Sequence, residues 1–192
     1  MKKLFTLTLA ASFAVLHAFS TPDNIAHLVR SNLFVLGAGG DTTLVDGDLT
    51  QYDPTFTNAL DGMDARKLSN FSENIGMIRQ ATTLVIERRH TIEINDTTFY
   101  RIWNLSTSRN YQLQFAMTNM DQPGLTAYLE DLYLNTKTPV GLSGTTCVNF
   151  NINFDPLSYN AYRFRLVFTS AIGGTLPLTF VSQNAYLKGS SV

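Results

Sequence analysis

The sequence predicts an all-β fold, an antiparallel β-sandwich of the jelly-roll kind with about eight to ten strands. Three observations carry this expectation. Apolar residues recur at every second position in several runs, clusters of Asp, Asn, Ser, Gly and Pro separate those runs, and only Asp23 to Leu33 carries a helical stripe. The 13 Phe and 8 Tyr supply the large side chains with which two sheet faces fill a shared core. The strand count favours a jelly roll over an immunoglobulin-type sandwich, which wants about seven strands.

Taken in order, the chain opens with an address. Met1-Lys2-Lys3 is a short positive region, Leu4 to Phe19 is an apolar run, and Ala18-Phe19-Ser20 has the small-x-small pattern of a signal peptidase site. Residues 1–20 are therefore read as a signal peptide, too short to span a bilayer, and no later stretch is long and apolar enough to span one. The expected location is secreted or on the outer cell surface. Residues 21–40 form a lead-in, in which Asp23 is placed to cap a short turn bearing Ile25, Leu28 and Val29, with a strand signal at Asn32 to Leu36. Removal of Lys2 and Lys3 leaves 12 basic against 15 acidic residues. That balance offers no basic patch for nucleic acid, which needs clustered Lys and Arg.

A sandwich module is expected over residues 41–171. Asp41, Asp46, Asp48, Asp53, Asp61 and Asp64 crowd its beginning. Asp46-Gly47-Asp48 sets two hard oxygen ligands around a flexible residue, so a structural Ca²⁺ site on Asp46 and Asp48 is one expectation; solvated turn residues are the commoner use of such a segment. No other cofactor is expected. Less regular strand signals follow at Thr82 to Arg88, Thr91 to Ile94 and Thr98 to Leu105. Tyr111, Leu113, Phe115 and Met117 then alternate cleanly with polar or small residues. Beyond Thr126 to Leu134, the rows Val148, Phe150, Ile152, Phe154 and Tyr162, Phe164, Leu166, Phe168 are read as inward faces, with Arg163 and Arg165 on the wet side. Cys147 is the only cysteine, which excludes an internal disulfide; its apolar neighbours suggest a buried thiol. Residues 172–192 read as a linker and the start of a following β domain. Leu176, Leu178 and Phe180 alternate as in a strand that has no later partner in this chain.

Several segments together resemble a known module. They are Leu44 to Leu49 with Tyr52, Asp61 to Leu68, Ser72 to Ile75, Ile86 to Arg89, Asp96 to Tyr100 with Trp103-Asn104, Tyr111 to Phe115, Ala127 to Leu134, Thr138 to Val140 and Arg163 to Phe168. This pattern is similar to a β-sandwich module of large secreted proteins of Bacteroidetes. Leu176 to Ser182 resembles the opening of the fibronectin-like domain that follows it there. The resemblance implies export by the type IX secretion system and a cell-surface protein cut short in this chain. It also implies a non-catalytic structural or adhesive role, with neighbouring domains of the same protein as partners, together with surface glycans or proteins.

The alternative is a carbohydrate-binding or glycoside-hydrolase-like jelly roll. Hydrolysis needs two carboxylates across the glycosidic bond. Glu93 lacks an acidic partner two residues on, where Asn95 stands, and Glu130 and Asp131, adjacent on a strand, point to opposite faces. Only His27 and His90 remain after processing, and neither has a companion set for nucleophilic catalysis, so no enzyme is expected. Glycan binding would use exposed rings: Trp103 and Tyr100 are the leading candidates, with Tyr128 and Tyr133, although alternating aromatics usually fill a core. Asp41-Thr42-Thr43 and Asp96-Thr97-Thr98 also resemble the O-glycosylation signal of Bacteroidetes export, which would place sugar on Thr42 and Thr97; turn residues leading into strands are the plainer reading.

Overall fold

The computed structural model describes residues 26–171. The expected signal peptide and the tail from Leu176 lie outside the described residues. Between them run eleven strands: β1 His27–Leu36, β2 Thr42–Tyr52, β3 Ala65–Arg66, β4 Asn74–Arg79, β5 Thr82–Arg89, β6 Thr97–Trp103, β7 Asn110–Thr118, β8 Leu125–Asp131, β9 Thr136–Val140, β10 Gly144–Asn151 and β11 Phe164–Ser170. The one helical element among the described residues is a 3₁₀ turn, Pro156–Tyr159. The fold is all-β. Ten strands form one hydrogen-bonded path, β10-β7-β1-β2-β5-β4-β6-β11-β8-β9, and the short β3 pairs with β5 off that path. Every pairing is antiparallel except β2 with β5.

The path curls so that its two halves face each other. Tyr100 of β6 meets Phe115 of β7 at 5.8 Å between ring centroids, and Phe150 of β10 meets Phe164 of β11 edge-on at 4.9 Å. Strands far apart in the hydrogen-bonded order therefore share one core, which is the sandwich arrangement that period-two apolar rows require. Leu33, Leu113, Phe115, Leu166 and Phe168 lie at its centre, fully shielded from solvent. Tight turns between strands use residues that tolerate the left-handed region: Asn95, Asn104, Asn119 and Asn135 all have positive φ.

Four local expectations are corrected. The stretch read as a helical turn within a lead-in is strand: His27–Leu36 lies between β2 and β7, because Val29, Ser31 and Leu33 alternate inward and strand partners on both sides satisfy its backbone. The segment read as solvated turn is also strand. Asp46, Gly47 and Asp48 sit within β2 opposite Leu33, Asn32 and Ser31, and Gly47 is needed there because a Cβ would lie 2.7 Å from Asn32 Oδ1 and 3.2 Å from the Ser31 carbonyl. Thr91 to Ile94 is loop rather than strand. Cys147 is exposed, not buried: Phe150 faces the core, so three positions away in a period-two strand the thiol faces outward.

Some of the inward face is polar. Asp48, Thr50, Glu87, Arg89 and Thr98 are buried beside Tyr52 and Tyr100. Thr50 donates its hydroxyl to Met77 Sδ at 2.9 Å, and Arg89 pairs with Asp96 at 2.6 Å. Burial pushes the Tyr52 phenol up to about 12.

Candidate functional site

A cavity of about 440 Å³ lies where the end of β6 and the β6–β7 loop face the β10–β11 connection. Its first wall comes from the end of β6. In that strand Thr98, Tyr100 and Ile102 point inward, so Arg101 and Trp103 share the opposite face. The Arg101 guanidinium lies over the Trp103 ring at 5.0 Å, which fixes the ring face and orients a cation beside it. Asn104, Leu105 and Thr107 of the β6–β7 loop continue the wall, and Ile152, Phe154 and Tyr159 from the β10–β11 connection stand across from them.

That connection is held from beneath. Asp155 caps the 3₁₀ turn by accepting from the Leu157 amide at 2.9 Å, and Ser158 Oγ accepts from the Asn153 amide at 3.0 Å. Arg163 donates through Nη1 to the carbonyls of Asn151 at 2.8 Å and Ser158 at 2.7 Å. Its Nε and Nη2 grip the Asp131 carboxylate at 2.9 and 2.6 Å, in the planar fork geometry that suits a carboxylate. The rings of Tyr133, Phe150 and Phe164 enclose the guanidinium at 4.9, 5.4 and 4.7 Å. The alternation assigned Arg163 to solvent; it is 2% exposed. Strand β11 begins only at Phe164, so period two does not extend back to Arg163 and Tyr162, and Tyr162 is the exposed one.

Phe154 was likewise expected inside. Strand β10 ends at Asn151, and three residues further on the Phe154 side chain is 91% exposed on the cavity wall. The signal that could have placed it is local: the Asp155-Pro156 pair that follows it stops a strand. Asn104 and Tyr159 were not read as site residues: Asn104 entered only as the neighbour of Trp103, and Tyr159 closes the 3₁₀ turn, where no strand alternation runs.

The other candidate residues go to different places. Tyr100 is 1% exposed, and its Oη meets Ser31 Oγ at 2.8 Å inside the core. It cannot face a glycan, because its parity on β6 is opposite to that of Trp103. Tyr128 is half-buried on the outer side of β8, and Tyr133 packs on Arg163, so the four rings form no common platform. Trp103 is half-buried and lines the cavity, rather than anchoring the core.

Asp46 and Asp48 do not converge on a calcium geometry. Asp46 Oδ1 accepts from Lys67 Nζ at 2.5 Å and its Oδ2 from the Ile75 amide at 2.8 Å. Asp48 is buried with neither oxygen in a hydrogen bond of ordinary geometry. Among the described residues no group of three or more His, Cys, Asp or Glu comes together, whereas calcium takes six to eight oxygens. Thr42 is exposed at the start of β2, and Thr97 is half-buried at the start of β6 with its hydroxyl directed to the Asn95 carbonyl at 3.5 Å.

Acid–base groups are engaged away from the cavity. Glu130 is clamped by Lys137 at 2.7 Å and Arg165 at 2.5 Å, and the hydrogen bond from Lys137 leads in holding its carboxyl below the ordinary value. Glu93 is exposed in the loop before β6. The His90 amide donates to Asn58 Oδ1 at 3.1 Å in a turn, and His27 Nδ1 contacts the Asn119 carbonyl. The cavity wall itself is made of aromatic, aliphatic, amide, hydroxyl and guanidinium groups, with no Asp, Glu or His. Such a wall can stack against a flat apolar face and hydrogen-bond around its edge. No family model, no curated protein and no solved structure matches the chain.

Proposed function

We propose that this chain is a non-catalytic, adhesive module of a secreted cell-surface protein, and that it adheres by binding carbohydrate in the cavity beside Trp103. One observation carries the reading: the cavity joins an aromatic wall to amide, hydroxyl and guanidinium groups and is lined by no carboxylate or imidazole. A pyranose ring presents a face of C–H groups and a rim of hydroxyls. The indole face suits the first, and Asn104, Thr107 and Arg101 suit the second. Glycoside hydrolysis would require a carboxylate pair about 5–9 Å apart across the bound sugar, and the wall supplies neither member. Export is supported by the leader-like residues 1–20 and, for the type IX route, by the resemblance described above; the mass of the secreted product in the native host tests both.

Trp103 is the only tryptophan, so indole fluorescence reports on the surroundings of this one ring. A panel of neutral and acidic polysaccharides titrated into the protein should contain at least one that shifts or quenches the emission saturably. Trp103→Phe should weaken binding by about tenfold and Phe154→Ala by several-fold, in line with about 0.5–1.5 kcal/mol for an aromatic contact; binding in the variants is read by affinity electrophoresis. A panel that leaves the emission unchanged throughout would remove the reading.

A further inference from the structure

Beyond the aromatic cavity, and resting on the carbohydrate reading of it, the geometry points to an acidic sugar as the ligand: a saccharide bearing a carboxylate or sulfate group, stacked on Trp103 with its anionic substituent over Arg101 and Arg66. A second cavity of about 280 Å³ adjoins the first and shares Arg101 and Trp103 with it. Where the first is mainly apolar, this one is polar, lined by Arg66, Lys67, Ser69, Thr82 and Thr83 beside the shared pair.

The charges are not all equally available. Lys67 is committed to Asp46 at 2.5 Å and also donates to the Gly47 carbonyl at 3.2 Å, so it acts from within the wall. Arg66 and Arg101 are exposed, and neither enters an ion pair among the described residues. The Arg101 guanidinium lies over the Trp103 ring, which leaves its edge N–H groups to donate to an anion. No Asp or Glu lines either cavity, although acidic residues slightly outnumber basic ones in the chain. The two cavities, joined at Arg101 and Trp103, thus present a groove with two exposed guanidiniums outside any ion pair on one side and a stacking surface on the other. A guanidinium recognises carboxylate and sulfate oxygens by the same paired N–H geometry, and the neighbouring indole supplies the surface for the sugar ring.

The backbone beneath the groove is fixed by Gly76. It stands opposite Arg101 across the β4–β6 ladder, and a Cβ there would come within 2.7 Å of Thr83 Cγ2 and 3.1 Å of the Leu84 carbonyl. This close approach lets Thr83 of β5 and the Lys67 side chain lie tight against β4, the strand that separates β5 from β6, and the Lys67 amide donates to the Thr83 carbonyl at 2.9 Å. The basic side of the groove is therefore set by the sheet and not by a loose loop.

Two matched pairs of polymers test the inference: polygalacturonate against its methyl ester, and a sulfated galactan against the same galactan desulfated. In one pair at least, the charged member should bind the full chain at least tenfold more tightly than its neutral counterpart, and the pair that does so tells carboxylate from sulfate. Arg101→Gln and Arg66→Gln should each bring that ratio down toward one, with Arg101→Lys retaining part of it. Arg30→Gln, on β1 and outside both cavities, should leave it unchanged. Equal binding of charged and neutral members, or a ratio unmoved by Arg101→Gln and Arg66→Gln while Arg30→Gln lowers it, overturns the acidic-sugar inference and leaves carbohydrate binding standing. Failure of all four polymers and of the whole polysaccharide panel removes both.

Discussion

At Asp48 a carboxylate is enclosed in the sandwich with neither oxygen in a hydrogen bond of ordinary geometry, the Ser31 hydroxyl being the nearby donor. Ser31, its register partner on β1, is engaged with Tyr100. Burial pushes the Asp48 carboxyl well above the usual carboxylate range, against the opposing pull of Ser31 and Lys67. The consequence for stability follows from proton linkage. In the unfolded chain the group ionises near pH 4, whereas in the fold it keeps its proton to higher pH. Its contribution is complete below the unfolded value and is lost progressively as pH rises through the folded one. Asp48→Asn, which cannot ionise, should therefore gain on the wild type as pH rises from 4 to 8, reaching about 1–3 kcal/mol, the cost typical of an unsatisfied buried polar group. Melting temperatures across that range check it, and a difference independent of pH would contradict it. Nothing in Asp46-Gly47-Asp48 as a string announces this. The segment has turn composition, and only the pairing of β2 with β1 turns Asp48 inward. Trp103 and Tyr100 were named together as candidate exposed rings and could not be separated until the parity of β6 placed Trp103 on the cavity wall and Tyr100 in the core.

Among elements, the decisive junction is the one Arg163 makes between β8, the end of β10 and the 3₁₀ turn before β11. One guanidinium satisfies Asp131 on β8 and the carbonyls of Asn151 and Ser158, inside a cage of three rings. Breaking such a pair leaves a buried charge without compensation, which costs about 3–5 kcal/mol, while replacing both partners by apolar residues costs less. Arg163→Met should accordingly destabilise by that amount, and Arg163→Met combined with Asp131→Leu should recover part of the loss; a denaturant double-mutant cycle measures the coupling. A coupling near zero would mean that the rings and not the charge hold the junction. Period-two rows correctly marked β7, the second half of β10 and most of β11, where inward and outward residues alternate. They failed at strand ends, where Phe154 and Tyr162 leave the ladder and Arg163 enters the core. Strand periodicity has no meaning once the backbone stops being extended, and the residues that build the cavity lie at those endings.

At the scale of the whole molecule, the all-β sandwich was legible because its core is made by alternating rows long enough to outweigh local irregularity. The boundary was not. Residues 21–40 looked like a lead-in because their apolar positions, read with Ile25 and Leu28, fit a helical turn as well as a strand, and no local signal decides between those periods over so short a stretch. The sheet decides: β1 pairs with β2 through ten register positions and with β7 through nine, and its Val29 and Leu33 are buried in the common core. It occupies an interior place in the path, so β2 and β7 would each lose a hydrogen-bonded neighbour without it. A chain of residues 41–171, the module the sequence suggested, should then expose two unpaired strand edges and a breach in the core. It should lack cooperative unfolding, and exposed edges of that kind favour aggregation. A chain of residues 26–171 should unfold in a single transition. Urea titration followed by far-ultraviolet dichroism and by Trp103 fluorescence distinguishes the two. Coincident, cooperative curves for residues 41–171 would mean that β1 is an accessory strand and that the sandwich closes through β2 and β7 without it.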